Sequence, residues 1–258
     1  MKYRIFLRLV LISCLVLGFQ IIHSYYAPCK TKTPVQLPIV EKDTLQIAFI
    51  GDSWAFLHKP HDGEASVILS KMLQQPVRFR SFGICGLTSR EICEQLYTNA
   101  SLQRFLCEGC DYCVISAGIN DTYKKMSSDY YAKSIEAIIQ FFLFNRITPI
   151  IIEIPDYDIM KCYKQQTISR KVIRQLSMII TNTPIDCKHI FREALDCIIG
   201  DYKEKVDVLR YREWNGNYAD DLRQLYLEDG LHLNASGYSV LDKHIGLHLL
   251  KFSHARPN

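Results

Sequence analysis

Leu45-Gln46-Ile47-Ala48-Phe49-Ile50-Gly51-Asp52-Ser53 decides how this chain folds. Leu45 to Ile50 is a strand-length apolar run broken only by Gln46. It ends on a glycine that permits a tight turn, and a serine comes two residues later. At such a strand-to-helix turn the hydroxyl is presented beyond the strand end. The unpaired N–H groups of the next helix favour negative charge beside it. Alone, Gly-Asp-Ser is as well read as an ordinary helix cap, so the surrounding chain must decide.

The same alternation continues outward. Val77 to Phe82, Tyr112 to Ser116, Pro149 to Ile154 and Val206 to Tyr211 are further strand candidates. Helix-like stretches separate them: Glu64 to Leu73, Ser89 to Tyr97, Tyr130 to Phe144, Gln165 to Ile180, and Ser236 to Leu250. Nearly continuous apolar strands alternating with helices predict an α/β fold whose parallel sheet is covered on both faces. In such sheets reacting groups gather beyond the carboxyl ends of the strands.

The residues just beyond each strand are therefore the candidates for chemistry. The second strand runs into Gly83-Ile84-Cys85-Gly86, whose glycines allow close backbone approach or simply make a turn. The third runs into Gly118-Ile119-Asn120-Asp121, where the Asn120 amide is either an oxyanion donor or a cap. Before the last helix stands Asp229-Gly230-Leu231-His232, a carboxylate three residues from an imidazole. There the acid can hold one ring nitrogen while the other serves as base. Among the eight histidines, His58, His61, His244 and His248 show no such layout. His244 and His248 share a helix face, but without an HExxH pattern a packing or surface role is the reading. Together the four blocks supply a nucleophile, a base, an orienting acid and three oxyanion donors, the parts acyl transfer requires.

The order Gly51-Asp52-Ser53, Gly86, Asn120 and Asp229-x-x-His232 resembles the SGNH/GDSL hydrolase superfamily over roughly Leu45 to Leu250. The block DGLHLNASGY is its most specific part. The resemblance implies a flavodoxin-like three-layer α/β/α sandwich with a mostly parallel five-stranded sheet, and ester chemistry without metal or cofactor. It implies Ser53, Asp229 and His232 as catalytic groups, with Ser53, Gly86 and Asn120 as the oxyanion hole. Two departures stand out: Trp54 comes after the serine where leucine is commoner, and Ser81 stands where asparagine is frequent.

The 258 residues suffice for one sizeable domain, and 48% hydrophobic with 22% charged residues argues against disorder. The formal net charge is +4 with lysine and arginine scattered, so no nucleic-acid surface is read. Lys2, Arg4 and Arg8 precede the apolar run Leu9 to Ile22, the layout of a signal anchor or signal peptide. No small-x-small cleavage site comes after it, which favours an anchor. Leu11-Ile12-Ser13-Cys14 resembles a lipobox, but apolar residues continue beyond it. The expected organisation is an anchor or signal over 1–26, a proline-containing tether over 27–43 and the domain over 44–258. The domain then lies outside the cytoplasm, tethered at the periplasm or cell surface, or secreted after cleavage. Ten cysteines include Cys107, Cys110 and Cys113 at CxxCxxC spacing; without a second ligand cluster the reading is structural thiols or one disulfide, with no metal.

The expected reaction is hydrolysis of a carboxylic ester through an acyl-enzyme, with O-acetyl or short acyl groups on carbohydrate as substrate. No long apolar lid suited to a triglyceride lipase is visible. Asp156, Tyr157, Tyr211, Trp214 and Tyr218 either face a sugar or pack. A glycan O-acyltransferase, a lysophospholipase or thioesterase, and a non-catalytic carbohydrate-binding module remain open alternatives. Expected partners are an acylated small molecule or glycan and, through the N-terminal segment, a membrane; oligomeric state is not legible.

Overall fold

The computed structural model describes residues 2–30, 35–40, 42–202 and 204–255, without the side chains of 2–7 and 252–255. The side chains of Lys2 and Arg4, and the whole of Pro34, lie outside the described residues. Five strands form one all-parallel sheet in the order β2-β1-β3-β4-β5: β1 (Leu45–Gly51), β2 (Val77–Gly83), β3 (Tyr112–Ser116), β4 (Thr148–Ile152) and β5 (Asp207–Leu209). The register is continuous, with Gly51 opposite Gly83 on one side and Ser116 on the other. β3 and β4 are buried along their whole length, as expected of strands covered on both faces.

Helices α3 (Asp62–Leu73) and α13 (Ala235–Ala255) pack on one another as one layer. α4 (Ser89–Thr98), α7 (Ser128–Phe144) and α10 (Lys188–Ile199) pack together as the other. The shorter helices are α2 (Ser53–His58), α5 (Ala100–Cys107), α6 (Ile119–Lys124), α8 (Ile159–Lys164), α11 (Tyr211–Trp214) and α12 (Tyr218–Leu225). α9 (Ile168–Thr181) lies in the long connection between β4 and β5. Neither α5 nor α10 has a counterpart among the helices expected from sequence. Both are amphipathic, and α10 is buried through Phe191 and Leu195. β4 ends two residues earlier than expected, because the apolar Ile154 carries the pattern past the strand end; there the Glu153 N–H donates to the Leu209 carbonyl.

Helix α1 (Lys2–Tyr26) carries a 19-residue span, Arg8–Tyr26, apolar enough to cross a membrane and unburied by the rest of the chain. The described residues of the segment after it form no helix or strand but are tied to the domain. Cys29 forms a disulfide with Cys93 of α4. Leu37 is buried, with its N–H donating to Asn145 Oδ1 at 2.7 Å. The disulfide thus lies outside the CxxCxxC cluster, where Cys107 is exposed and Cys113 buried.

Candidate active site

A strand order of 2-1-3-4-5 reverses direction between β1 and β3, and a crevice forms beyond the strand ends at such a point. Ser53 comes after β1 and Asn120 after β3, so the two blocks flank that crevice. The turn after β1 requires glycine: Gly51 has φ +152°, and a Cβ there would collide with the Ser116 carbonyl oxygen. Asp52 then caps α2, accepting the Trp54 N–H at 3.0 Å. Ser53 is the first residue of the helix, half-buried, with its backbone N–H among those a helix leaves unpaired.

The hydroxyl of Ser53 lies 2.8 Å from His232 Nε2, across 179 residues of chain. His232 Nδ1 lies 2.6 Å from Asp229 Oδ2. The other oxygen of Asp229 accepts the N–H groups of Leu231 and His232 at 2.9 and 3.0 Å. Burial would raise this carboxyl, but those N–H groups and the imidazole outweigh it and hold its pKa below the ordinary range. The carboxylate therefore stays ionised and holds the ring by one hydrogen bond, while two backbone N–H groups hold the carboxylate itself. The loop itself is closed by a bridge between Tyr226 and Leu233, and by the Leu227 N–H on the His232 carbonyl at 2.7 Å. Downstream, Tyr238 of the same block donates to the Trp54 carbonyl at 2.9 Å, tying α13 to the serine turn.

Asn120 Nδ2 donates to the Leu87 carbonyl at 3.0 Å and faces Asp52 Oδ2 at 3.4 Å. One amide hydrogen is thus firmly engaged and the other only loosely. Gly86 is exposed at φ +81°, a left-handed conformation that favours glycine with no neighbour to clash. Gly86 and Asn120 line one cavity of about 650 Å³, whose further walls include Lys124, Arg170 and Arg174. A second cavity, of about 330 Å³, also lined by Asn120 and Arg170, reaches Asp229 and Leu231. The cationic lining was not anticipated, because its residues are scattered along α6 and α9.

Asp52, inside the decisive triplet, has a role that no sequence pattern assigns to it. It is fully buried, and accepts the Ser116 hydroxyl at 2.8 Å as well as the Trp54 N–H. Burial pushes its pKa up to about 6 against those hydrogen bonds. Asp52 thus braces the serine turn, β3 and Asn120 from beneath. Asp121, next to Asn120, does the same for the glycine loop. It accepts both the N–H and the hydroxyl of Ser89, at 2.9 and 2.6 Å.

Three sequence readings gain detail from the structure. His58 and His248 do have acidic partners: His58 meets Asp242 and Asp62, and His248 meets Asp207 and Glu213. Those partners are distant in sequence or a helical turn away, so no local pattern revealed them. Ser81 bonds His58 and Asp62, because its strand position faces α2 and α3. The aromatic candidates for sugar contact pack instead. Tyr157 is buried against the Thr122 hydroxyl, Trp214 meets Trp54 edge-on, and Tyr211 stacks under Arg192, which pairs with Asp156. Tyr218 donates to the Gly230 carbonyl at 2.6 Å and so supports the Asp229 loop.

No protein-family model matches the chain, and neither does any curated protein. Solved structures do. A GDSL-like lipase from Bacteroides thetaiotaomicron is 16% identical, with a TM-score of 0.53 over 84% of this chain and 92% of its own. The lipase/acylhydrolase from Enterococcus faecalis is 16% identical, with 0.55 over 80% and 95%. A variant of an acetyl-xylooligosaccharide esterase from Geobacillus Stearmophilus is 15% identical, with 0.51 over 80% and 94%. At these identities the likeness speaks to architecture: this chain has the fold of the SGNH/GDSL hydrolases.

Proposed function

We propose that this chain is a serine esterase that removes acetyl or other short acyl groups from carbohydrate, working outside the cytoplasm at the end of a membrane anchor. The observation that carries the reading is the hydrogen-bonded relay Ser53 Oγ–His232 Nε2, His232 Nδ1–Asp229 Oδ2, at 2.8 and 2.6 Å. His232 takes the proton of Ser53 as its oxygen attacks the ester carbonyl, and Asp229 stabilises the imidazolium that forms. The N–H groups of Ser53 and Gly86 and the Asn120 amide receive the charge on the tetrahedral oxygen. His232 then protonates the leaving alcohol, and water, activated by the same imidazole, releases the acyl group.

The choice of substrate is supported by the acetyl-xylooligosaccharide esterase among the structural neighbours and by room for a large polar alcohol in the cavities beside Asn120. Export is supported by the apolar span of α1 and by a disulfide, which oxidising compartments permit. The test is a fluorophosphonate probe, then a panel of acetylated oligosaccharides and p-nitrophenyl esters of graded chain length. Labelling at Ser53 and a preference for acetyl esters are expected. An unlabelled Ser53 in active protein would remove the mechanism, and preference for long chains would remove the substrate class.

A further inference from the structure

Helix α9 is built inside out for a helix that meets water. Its buried residues are Arg174, Ser177 and Thr181. Its outer face carries Ile168, Val172, Leu176 and Ile179 at helical spacing, and they are 81%, 50%, 54% and 77% exposed. Isolated apolar residues on a surface need no explanation, but an aligned stripe marks a surface that is covered. Two neighbours identify the cover. The last turn of α1 packs on α9: Tyr25 Oη lies 2.5 Å from Ser177 Oγ, and Tyr26 donates to the Ile180 carbonyl at 2.8 Å. Residues 159–173 also hold Lys161, Lys164, Arg170 and Lys171 with no carboxylate, a local charge equal to the +4 of the whole chain.

We propose that α9 lies in the interfacial layer of the bilayer that α1 crosses, with its apolar stripe toward the acyl chains and the solvent-facing cations of residues 161–171 among anionic headgroups. The proposal rests on α1 being a membrane anchor. If α1 spans over Arg8–Tyr26, Tyr25 and Tyr26 mark the level where it leaves the hydrocarbon, and α9 is held at that level. Cations beside the stripe then meet the surface potential of anionic lipids. Docking also brings the cavity that ends at Gly86 and Asn120 against the membrane surface, because α1 contributes Ser24 and Tyr25 to its walls and α9 contributes Arg170 and Arg174. Esters displayed at that surface are the substrates it would meet first.

The experiment uses the full chain in nanodiscs of phosphatidylcholine and phosphatidylglycerol, with and without bromine on the acyl chains. Ile179→Trp should lose at least half of its added fluorescence in brominated lipid. Val67→Trp, at an exposed position on α3, should not change. Adding Ile168→Glu and Leu176→Glu should abolish the quenching and leave hydrolysis of soluble p-nitrophenyl acetate intact. An unquenched Ile179→Trp in a chain that resists alkaline carbonate extraction would overturn the docking and leave the anchor standing. Release by carbonate would overturn both. Cross-linking of two copies through α9, without quenching, would assign the face to a second copy and reject the bilayer.

Discussion

Two clusters of serine, histidine and aspartate among the described residues differ in what reaches them. At the carboxyl edge of the sheet, His232 is held by Asp229 on one ring nitrogen and faces Ser53 with the other. The imidazole and carboxylate side chains are 21% and 44% exposed. At the end of α2, His58 is fully buried, with Nε2 on Asp242 at 2.9 Å and Nδ1 shared between Asp62 and Ser81 at 3.0 Å each. The Ser81 hydroxyl donates to Asp62 at 2.5 Å. The same three side-chain types thus make a solvent-reached hydrogen-bonded chain in one place and a buried clamp in the other. Catalysis requires a hydroxyl whose proton goes to a base and whose oxygen meets solvent. The inner serine gives its proton to a carboxylate and sees no solvent.

Substituting each serine is the sharpest way to break that contrast. Ser53→Ala is expected to lower kcat for p-nitrophenyl acetate by on the order of 10⁶ with an unchanged Tm. Ser81→Ala should leave turnover within a few-fold; a loss comparable to that of Ser53→Ala in folded protein would mean that the inner cluster takes part in the reaction. Asp229→Asn should cost roughly 10⁴ in kcat, because the amide no longer selects the ring tautomer. The matching change in the inner cluster, Asp242→Asn, should show up in thermal melting and not in kcat. Asn120→Ala should lower kcat by about 10²–10³ with little change in KM, the signature of a donor used in the transition state. Equal losses in kcat/KM through KM alone would recast Asn120 as a substrate-binding residue.

The smallest effect separates the clusters by pH. Burial alone would lower the pKa of His58, but its hydrogen bonds to Asp242 and Asp62 outweigh that and raise it from 6.5 to about 8. A histidine raised on folding stabilises fully below its unfolded pKa and loses that contribution as pH rises through the folded one. Across the whole titration the loss is on the order of 2 kcal/mol, most of it between pH 6.5 and 8. In wild type this contributes a fall in Tm of several degrees across that window, which His58→Gln should flatten. An undiminished slope in the variant would place the titration elsewhere.

Much of the site was legible because the backbone imposes it locally. A glycine at a strand end, an aspartate cap and a serine at a helix start make one turn. An aspartate three residues before a histidine makes one loop. Strand and helix alternation placed both at the same sheet edge. Nothing local marks Asp242 as the partner of His58, 184 positions away, or Glu213 as the partner of His248. The cationic cavity was illegible for the same reason, since α6 and α9 are brought together only by packing.

From its order of residues alone, then, the chain determined a parallel α/β sheet and the identities of Ser53, Asp229, His232, Gly86 and Asn120 as candidate groups. Tertiary structure decided which histidine has a ring nitrogen directed at an accessible hydroxyl, which aromatic residues are packed away, and which face of α9 looks outward. Periodicity and turn chemistry act between neighbours in sequence. Accessibility and charge pairing act between neighbours in space, and only the folded chain sets those.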